Sequence, residues 1–321
     1  MNPEKKLELV HFQITKSCNL RCWFCGQWGN KGFFSNSKGT PMRYEDWESV
    51  ATTLSDYRKS SGISPSIMLW GGEPLISPDF GRIVRMLRSS DFELGLVTNG
   101  VFIDKWADVL KNDFKKIHIS IDGPRDIHDK IRGKGVYDKV IENAKLLIGG
   151  NADVIVMSVK SAELSKRIDE FADGLEQIKP SALYLHDMIS MNDEEINLYA
   201  DWLKTNFGRE AADIYSWKTE SVPRKVRFDI PSGHTFKIVE KHHGNDGGFC
   251  LSPFRHAHIA WNGEVLYCTD FYDFSAGNVK ENNLIDIFNN EQSERFRNEI
   301  QKSGCITCSH CSWKNDKCFS L

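Results

Sequence analysis

The chain has 321 residues, of which 40% are hydrophobic and 26% are charged, so it can bury one large core or two modest ones. Its formal net charge of −3 argues against a basic surface for nucleic acid. No apolar stretch approaches the roughly 20 residues that a membrane-spanning helix needs, and the polar start of the chain is unlike a signal peptide. The composition therefore predicts a cytoplasmic protein with neither a membrane nor a nucleic acid as partner.

Apolar, β-rich runs alternate with segments of helical period from residue 7 to about residue 210. One helical segment places Trp47, Val50 and Leu54 on a single face. Such alternation predicts a parallel α/β sheet, wound either as a barrel or as an open doubly wound sheet. Both architectures bind ligands at the carboxyl ends of the strands. The predicted strands are Leu7–Ile14, Ser66–Trp70, Glu93–Thr98, Lys116–Ile121, Asp153–Val159 and Ala182–His186.

Three cysteines, Cys18, Cys22 and Cys25, lie within eight residues directly after the first predicted strand. Structural zinc and iron–sulfur cubanes usually have four protein ligands, so three thiols leave one metal corner open. A half zinc site or plain buried thiols would be the alternative, but zinc ligands usually come as two C-x2-C pairs. The C-x3-C-x2-C spacing, with Phe24 before the last cysteine, resembles the signature of the radical S-adenosylmethionine (SAM) enzymes.

This resemblance implies that the three thiolates hold a 4Fe-4S cluster and that SAM binds the fourth iron. It also implies the fold of that family, a partial (β/α)6 TIM-type barrel, which the alternation alone does not distinguish from an open sheet. The implied activity is reductive cleavage of SAM to a 5′-deoxyadenosyl radical, which abstracts hydrogen from a substrate C–H. An oxygen-sensitive enzyme that takes electrons from a flavodoxin or a ferredoxin is therefore expected.

Turn motifs follow the next three strands, where a ligand would bind. Gly-Gly-Glu-Pro after the second strand would let the backbone approach a ligand closely, with its Glu accepting a bond from an ammonium group. Alone this is an ordinary turn, but one βα unit after the cysteine loop it resembles the GGEP motif of radical SAM enzymes. Thr-Asn-Gly, Ser-x-Asp-Gly and Arg-Gly segments resemble further parts of the same pocket. The resemblance implies these candidate SAM contacts: Gly71, Gly72, Glu73, Pro74, Thr98, Asn99, Ser120, Asp122 and Arg132.

The other six cysteines all lie beyond residue 249, which indicates a second metal-binding region. A C-x12-G-x4-C block, a helical segment and a C-x2-C block resemble the SPASM/Twitch extension of radical SAM enzymes, which carries auxiliary 4Fe-4S clusters. Six cysteines cannot fully ligate two cubanes, so one auxiliary cluster is predicted. Two clusters with open corners, or a zinc ribbon, are the alternatives. The predicted ligands are Cys250, Cys268, Cys305 and Cys308, with Cys311 and Cys318 as further candidates.

The resemblance covers nearly the whole chain and divides it into a radical SAM barrel (1–210), a bridging segment (211–248) and an auxiliary-cluster domain (249–321). The first strand starts by residue 8, with no winged-helix domain of the kind found before the barrel in many peptide-modifying relatives. We therefore expect a small metabolite of a biosynthetic pathway as the substrate, and an auxiliary cluster that can accept an electron favours its oxidation. Modification of a peptide by crosslinking, oxidation or epimerisation is the alternative, and a zinc-binding module without enzymatic activity is the alternative outside enzymes.

An oxidation also needs a base that takes the substrate's proton. The run from Cys268 to Tyr272, Cys-Thr-Asp-Phe-Tyr, resembles a Cys-Asp-Phe-Tyr run of anaerobic sulfatase-maturating enzymes, whose aspartate is the base. One residue, Thr269, is inserted here relative to that run. The resemblance implies Asp270 as the catalytic base, and a solvated or capping aspartate is the alternative reading.

Overall fold

Helices alternate with the strands of one sheet between residues 44 and 302. The computed structural model describes residues 3–27, 32, 39–187, 192–211, 226, 228–241, 250–268, 272–302 and 308. Within these ranges no helix is both long and apolar enough to cross a membrane. The helices there are α1 (Tyr44–Ser61), α2 (Phe80–Ser89), α3 (Ala107–Asp113), α4 (Arg125–Arg132), α5 (Val136–Lys145), α6 (Ala162–Ser165), α7 (Ile168–Leu175), α8 (Asp193–Phe207), α9 (Ser252–Arg255), α10 (Leu284–Asn289) and α11 (Glu291–Lys302).

Each of the first five strands is followed by at least one helix, as the alternation of the sequence predicts. Right-handed crossovers of this kind place successive strands side by side and in parallel. The strands in the described part of the chain are β1 (Leu9–Thr15), β2 (Ser66–Gly71), β3 (Leu94–Thr98), β4 (Lys116–Ser120), β5 (Asp153–Val159), β6 (Ala182–His186), β7 (Lys237–Lys241), β8 (His256–Ile259) and β9 (Val265–Leu266).

The sheet has the order β7-β6-β5-β4-β3-β2-β1-β8-β9. Neighbouring strands pair in parallel from β7 to β8, and β9 turns back on β8 as an antiparallel hairpin. Its outermost strands, β7 and β9, do not pair with each other in the residues described, so the barrel is not closed. All six predicted strands are present. The predicted fold class, a partial TIM-type barrel, is confirmed.

Two further parallel strands, β7 and β8, extend the six predicted ones at opposite edges. β7 comes from the segment assigned to a bridge, and β8 comes from the part assigned to the auxiliary-cluster domain. Their sequences, KIVEK and HAHI, are only five and four residues long and hold no more than two adjacent apolar residues, so no apolar run marks them. The division of the chain at residues 210 and 248 stays a prediction, and in the structure each later segment adds a strand to the barrel sheet.

The two faces of the sheet differ in chemistry, because side chains alternate along each strand. The face against the helices belongs to the hydrophobic core and carries residues such as Val10, Phe12 and Ile259. The inner face is rich in imidazole, although TIM-type interiors are usually filled by branched aliphatic residues. Inner-face residues include His11, Gln13, Met68, Trp70, His118, Met157, Tyr184, His186, His256 and His258.

A buried arginine ties the carboxyl-terminal helices together. Arg297 is 1% exposed, its Nε donates to the carbonyl oxygen of Pro253 at 2.7 Å, and its Nη2 donates to that of Phe288 at 2.7 Å. The guanidinium also lies 4.4 Å from the ring centroid of Phe288. Helix α11 is thereby anchored to α9, the short helix that begins two residues after Cys250.

A buried ion cluster holds the edge strand β7 on the sheet. The Nζ atom of Lys160, directly after β5, lies 3.0 Å from an oxygen of Asp187 and 3.0 Å from an oxygen of Glu240. Asp187 directly follows β6 and Glu240 lies in β7, so one cation joins three strands. Only 1% of the Lys160 side chain is exposed, so these carboxylates, and not solvent water, face its charge.

We expect Lys160→Met to lower the free energy of unfolding by about 3 kcal/mol, because it removes a buried cation from between two carboxylates that are only 10% and 16% exposed. Lys59→Met is the matched control, since Lys59 pairs with Asp56 where both side chains are largely exposed. That exposed pair should contribute about 0.5 kcal/mol or less. Urea denaturation followed by tryptophan fluorescence measures both variants. Equal stability of the two would contradict a structural role for the Lys160 cluster.

Candidate active site

The loop that carries the first three cysteines is held in shape by hydrogen bonds within the loop. The guanidinium of Arg21 donates to the carbonyl oxygens of Cys18 at 2.7 Å and Leu20 at 2.8 Å. The amide of Leu20 lies 3.4 Å from the sulfur of Cys18, and the amide of Cys25 donates to the carbonyl oxygen of Cys22 at 3.1 Å. These bonds turn the chain tightly enough to bring its three thiols to one end of β1.

The turn at Gly71 and Gly72, where β2 ends, supports this loop through backbone hydrogen bonds. The amide of Gly72 donates to the carbonyl oxygen of Thr15 at 2.9 Å, and the amide of Glu73 donates to that of Ser17 at 2.8 Å. A Cβ atom at Gly72 would overlap the carbonyl oxygen of Ser17 and lie 2.7 Å from that of Lys16. Glycine is needed here because the cysteine loop itself approaches so closely, whereas the sequence suggested only the approach of a ligand.

Glu73 lies fully buried beneath the loops and joins two of them. Its carboxylate accepts bonds from the Thr98 hydroxyl at 2.8 Å and from the amides of Asn99 at 2.7 Å and Leu75 at 3.0 Å. Burial raises the pKa of Glu73 to about 7, although these bonds oppose the shift. The predicted bond to the ammonium group of SAM stays a prediction, and the structure shows that Glu73 also positions the turn after β3.

Two side chains from later in the chain, one directly after β3 and one at the end of α4, reach the thiols. The Asn99 side-chain nitrogen lies 3.8 Å from the sulfur of Cys18 and donates to the side-chain oxygen of Asn19 at 2.9 Å. The Nη1 atom of Arg132 lies 3.8 Å from the sulfur of Cys22. Donors placed against metal-bound sulfur offset its negative charge and tune the potential of a cluster.

The Arg132 guanidinium is fixed by a buried carboxylate. Its Nε donates to Asp122 at 2.6 Å, and the other oxygen of Asp122 accepts the amide of Val159 at 3.0 Å. Burial works against the charge of Arg132, but Asp122 and the Cys22 sulfur outweigh it and raise the pKa of the guanidinium above its ordinary value. Arg132 therefore stays a cation beside the cysteine loop, held by the ends of β4 and β5.

The candidate SAM contacts all lie at the carboxyl edge of the sheet, although they differ in accessibility. Ser120, on the inner face at the end of β4, is partly exposed and free to face a ligand. Asn19 and Arg21 were not among the predicted site residues, and their only signal in the sequence was their place between the cysteines. Glu73, Pro74, Thr98, Asn99 and Asp122 are buried, and Gly71, Gly72, Ser120 and Arg132 are partly exposed.

The donor set fits an iron–sulfur cluster with one corner free of protein ligands. Three thiols lie close enough for their charges to interact, and Arg132 faces both Cys22 and Cys25. Burial raises the pKa of the Cys18 and Cys22 thiols, and metal binding deprotonates such groups. Soft thiolates at this spacing suit iron–sulfur chemistry.

The second cysteine region is described in part. Cys250 and Cys268 flank the segment that runs through α9, β8 and β9. The hydroxyl of Ser252 donates to the carbonyl oxygen of Tyr267 at 3.0 Å, which brings the surroundings of both cysteines together. Cys250, Cys268 and Cys308 pack against the hydrophobic core. Four predicted residues, Cys305, Cys311, Cys318 and Asp270, lie outside the described residues.

Two sequence families match the chain in the two regions that carry the cysteines. The radical SAM superfamily matches residues 12–160, and the SPASM iron–sulfur cluster-binding domain matches residues 250–312. The chain belongs to the radical SAM superfamily and is a radical SAM enzyme with a SPASM domain. The two domains imply 4Fe-4S clusters and the binding of SAM.

Among curated proteins, the chain is 22% identical to Fe-coproporphyrin III synthase of Methanosarcina barkeri, over 96% of this chain and 81% of that protein. It is 26% identical to a GTP 3′,8-cyclase of Nautilia profundicola, over 87% and 85%. It is 23% identical to a cysteine-type anaerobic sulfatase-maturating enzyme of Clostridium novyi, over 96% and 86%. These relatives carry out different reactions, so they define the class of enzyme and leave the reaction open.

Solved structures show the same fold. Streptococcus suis SuiB bound to S-adenosylmethionine aligns with a TM-score of 0.64 at 15% identity, covering 97% of this chain and 73% of that one. The protein anSMEcpe, bound to AdoMet and the Kp18Cys peptide, aligns with a TM-score of 0.61 at 18% identity, covering 91% and 82%. At these identities the likeness supports the fold alone.

Proposed function

We propose that this radical SAM enzyme is an oxidoreductase that removes two electrons from a small metabolite, beginning with a hydrogen atom on carbon. The observation that carries the proposal is the placement of Cys18, Cys22 and Cys25 beside Asn99 and Arg132. This constellation sits at the carboxyl edge of the sheet, where α/β barrels bind their substrates.

Each part of the site has a distinct task in this proposal. The three thiolates hold the cluster and leave one position for SAM, while Asn99 and Arg132 direct N–H groups at the sulfurs of Cys18 and Cys22. When bound, the reduced 4Fe-4S cluster and SAM together supply a 5′-deoxyadenosyl radical that abstracts hydrogen from the substrate. Ser120, partly exposed on the inner face, is placed to bind the ribose or the carboxylate of SAM.

In this oxidation the substrate loses a hydrogen atom to the radical and then one further electron and one proton. The hydrogen atom carries the first of the two electrons, and the further electron is the second. Asp270 is the proposed base for the proton. The electron needs an acceptor, and one auxiliary 4Fe-4S cluster would accept it. Electrons for SAM cleavage would come from a flavodoxin or ferredoxin in the cytoplasm. The proposed ligands of the auxiliary cluster are Cys250, Cys268, Cys305 and Cys308, with Cys311 and Cys318 as the ones a second cluster would recruit.

The barrel interior supports a compact substrate. His118 is fully buried and His186 is 6% exposed, so large side chains fill the space beneath the strand ends. Burial lowers the pKa of each imidazole to about 3, which leaves both rings uncharged at neutral pH. A substrate therefore binds above these rings, at the edge that carries the cysteine loop. The relative with the highest identity named above, a GTP 3′,8-cyclase, acts by its name on a small molecule.

A peptide substrate is the second candidate, and two observations favour it. The structure of anSMEcpe holds a peptide, and that chain shares the fold of this one. In the residues described, the sheet is also unclosed between its outermost strands, so an extended molecule has a side on which to enter.

Transfer of deuterium from substrate to 5′-deoxyadenosine tests both candidates. The reconstituted enzyme, SAM and a reductant are incubated with a uniformly deuterated cell extract, divided into a dialysable fraction and a peptide fraction. We expect labelled 5′-deoxyadenosine with the dialysable fraction, and no label with the Cys22→Ala control. A label from the peptide fraction alone would move the assignment to peptide modification. Deuterium in 5′-deoxyadenosine, together with a product that has lost no hydrogen relative to the substrate, would contradict the proposed oxidation.

A further inference from the structure

Three histidines meet on the inner face of the barrel, away from the cysteine loop. His11 lies in β1, and His256 and His258 lie in β8, which pairs with β1 in parallel. The register sets His11 opposite His258 and Leu9 opposite His256, so side-chain alternation directs all three imidazoles to the same face. One nitrogen from each ring lies within 4.8 Å of the other two.

The three rings carry lone pairs at neutral pH. Burial lowers the pKa of His258 to about 3 and that of His256 to about 4, and it lowers the pKa of His11 well below its ordinary value. Neutral imidazole is the form that binds transition metals. A cluster of this kind has no charge of its own to repel a cation.

A hydroxyl group sets the tautomer of His256. The hydroxyl of Ser252 donates its proton to the carbonyl oxygen of Tyr267 at 3.0 Å, so its oxygen accepts a bond from the Nδ1 of His256 at 3.3 Å. The proton of His256 is therefore on Nδ1, and Nε2 keeps the lone pair. Metal-bound histidines usually donate their second nitrogen to such a partner.

His258 supplies an independent indication. Its Nδ1 atom is buried and makes no hydrogen bond to the residues described. A buried polar atom without a bond costs about 1–3 kcal/mol, and a metal ion would remove that cost. The ring centroids of His258 and His11 lie 4.1 Å apart with an angle of 26° between the ring planes, so the two rings are stacked.

We propose that His11, His256 and His258 form a binding site for a divalent transition-metal ion of the zinc class. Three imidazoles and one open position are a common donor set for such ions, and imidazole also suits nickel and copper. Zn–N bonds of about 2.0–2.1 Å in a tetrahedral site place the ligand nitrogens about 3.3 Å apart. The three nitrogens lie within 4.8 Å of one another, so ring rotations that move each nitrogen by about 1 Å would complete the site. The ion would join β1, which leads into the cysteine loop, to β8, which lies within the SPASM region.

The test loads Zn²⁺ into the iron–sulfur-reconstituted holoprotein, so that the cysteines are occupied, and then removes weakly held zinc by dialysis. We expect about one zinc per chain, with an X-ray absorption shell of nitrogen near 2.0 Å; zinc on cysteine would show sulfur near 2.3 Å. This measurement needs no variant. A sulfur shell, or no retained zinc, would overturn the proposal.

Two variants and one control place the zinc on the three histidines. His256→Gln removes the ligand that is least buried, and Ser252→Ala removes only the group that orients it. Each should weaken zinc binding by about tenfold or more, the range seen when such partners are lost. His118→Gln changes a buried inner-face histidine of β4 and should leave zinc binding unchanged. Equal zinc affinity in His256→Gln and the wild type would refute the site.

Discussion

Replacing Cys22 with alanine is expected to abolish reductive cleavage of SAM and to remove about four irons per chain. The substitution leaves two thiols where a cluster with one SAM-bound corner requires three protein ligands. It also removes the sulfur that lies 3.8 Å from the Nη1 of Arg132, so this cation keeps Asp122 but no longer faces a sulfur at position 22. The measurement is 5′-deoxyadenosine by chromatography, beside iron and sulfide per chain, in protein purified without oxygen.

Cys268→Ala is the matched control, since it makes the same change in the SPASM region. This variant should retain part of the SAM cleavage, because the three cysteines of the first site are unchanged. It should lose the oxidised product, because Cys268 is a predicted ligand of the auxiliary cluster. SAM cleavage that persists in Cys22→Ala would contradict the assignment of the first three cysteines.

Iron content also separates one auxiliary cluster from two. About eight irons in the wild type, falling to about four in a Cys18/Cys22/Cys25→Ala variant, would fit one auxiliary cluster at four irons per cubane. About twelve falling to about eight would indicate two auxiliary clusters and would assign Cys311 and Cys318 as ligands.

Gly72→Ala is expected to lower the rate of SAM cleavage by about a hundredfold, the loss that a displacement of about 1 Å at a reacting centre can cause. The added Cβ would overlap the carbonyl oxygen of Ser17 and lie 2.7 Å from that of Lys16. Both are backbone atoms of the cysteine loop, so the clash cannot be relieved by turning a side chain. The loop must move, and Cys18 moves with it.

The control for this prediction is Gly62→Ala, at the end of α1. Gly62 has a φ of +74°, so alanine there costs about 1–2 kcal/mol, but its Cβ would meet no atom within 4 Å. This variant carries backbone strain without displacing the loop. We expect its SAM cleavage to equal that of the wild type. Equal activity of Gly72→Ala and Gly62→Ala would show that the glycine turn does not position the cysteines.

Much of the barrel was predictable because its signals are local. Each of the six central strands has an apolar run long enough to mark it, and the helices between them have a clear apolar face. β7 and β8 were missed because both are short and neither holds more than two adjacent apolar residues. His256 and His258 in β8 face the barrel interior, so they are buried although their sequence reads as polar.

Candidate site residues could be named from the sequence, but their contacts could not. The cysteine spacing and the Gly-Gly-Glu-Pro turn could be identified by their sequence alone. The sequence suggested Glu73 as a contact for SAM, and the structure shows it buried with three bonds to its own chain. Asp270 lies outside the described residues, so its assignment as base stays a prediction.

The sequence by itself determined the parallel α/β class and the set of three thiols, because strand periodicity and cysteine spacing involve neighbours along the chain. Only the tertiary structure decided that Asn99 meets Cys18, that Arg132 meets Cys22, and that His11 meets two histidines of β8. The partners in these contacts are separated by 81, 110 and more than 240 positions. Such contacts depend on strand order and register, which arise when the whole sheet assembles and which no local pattern specifies.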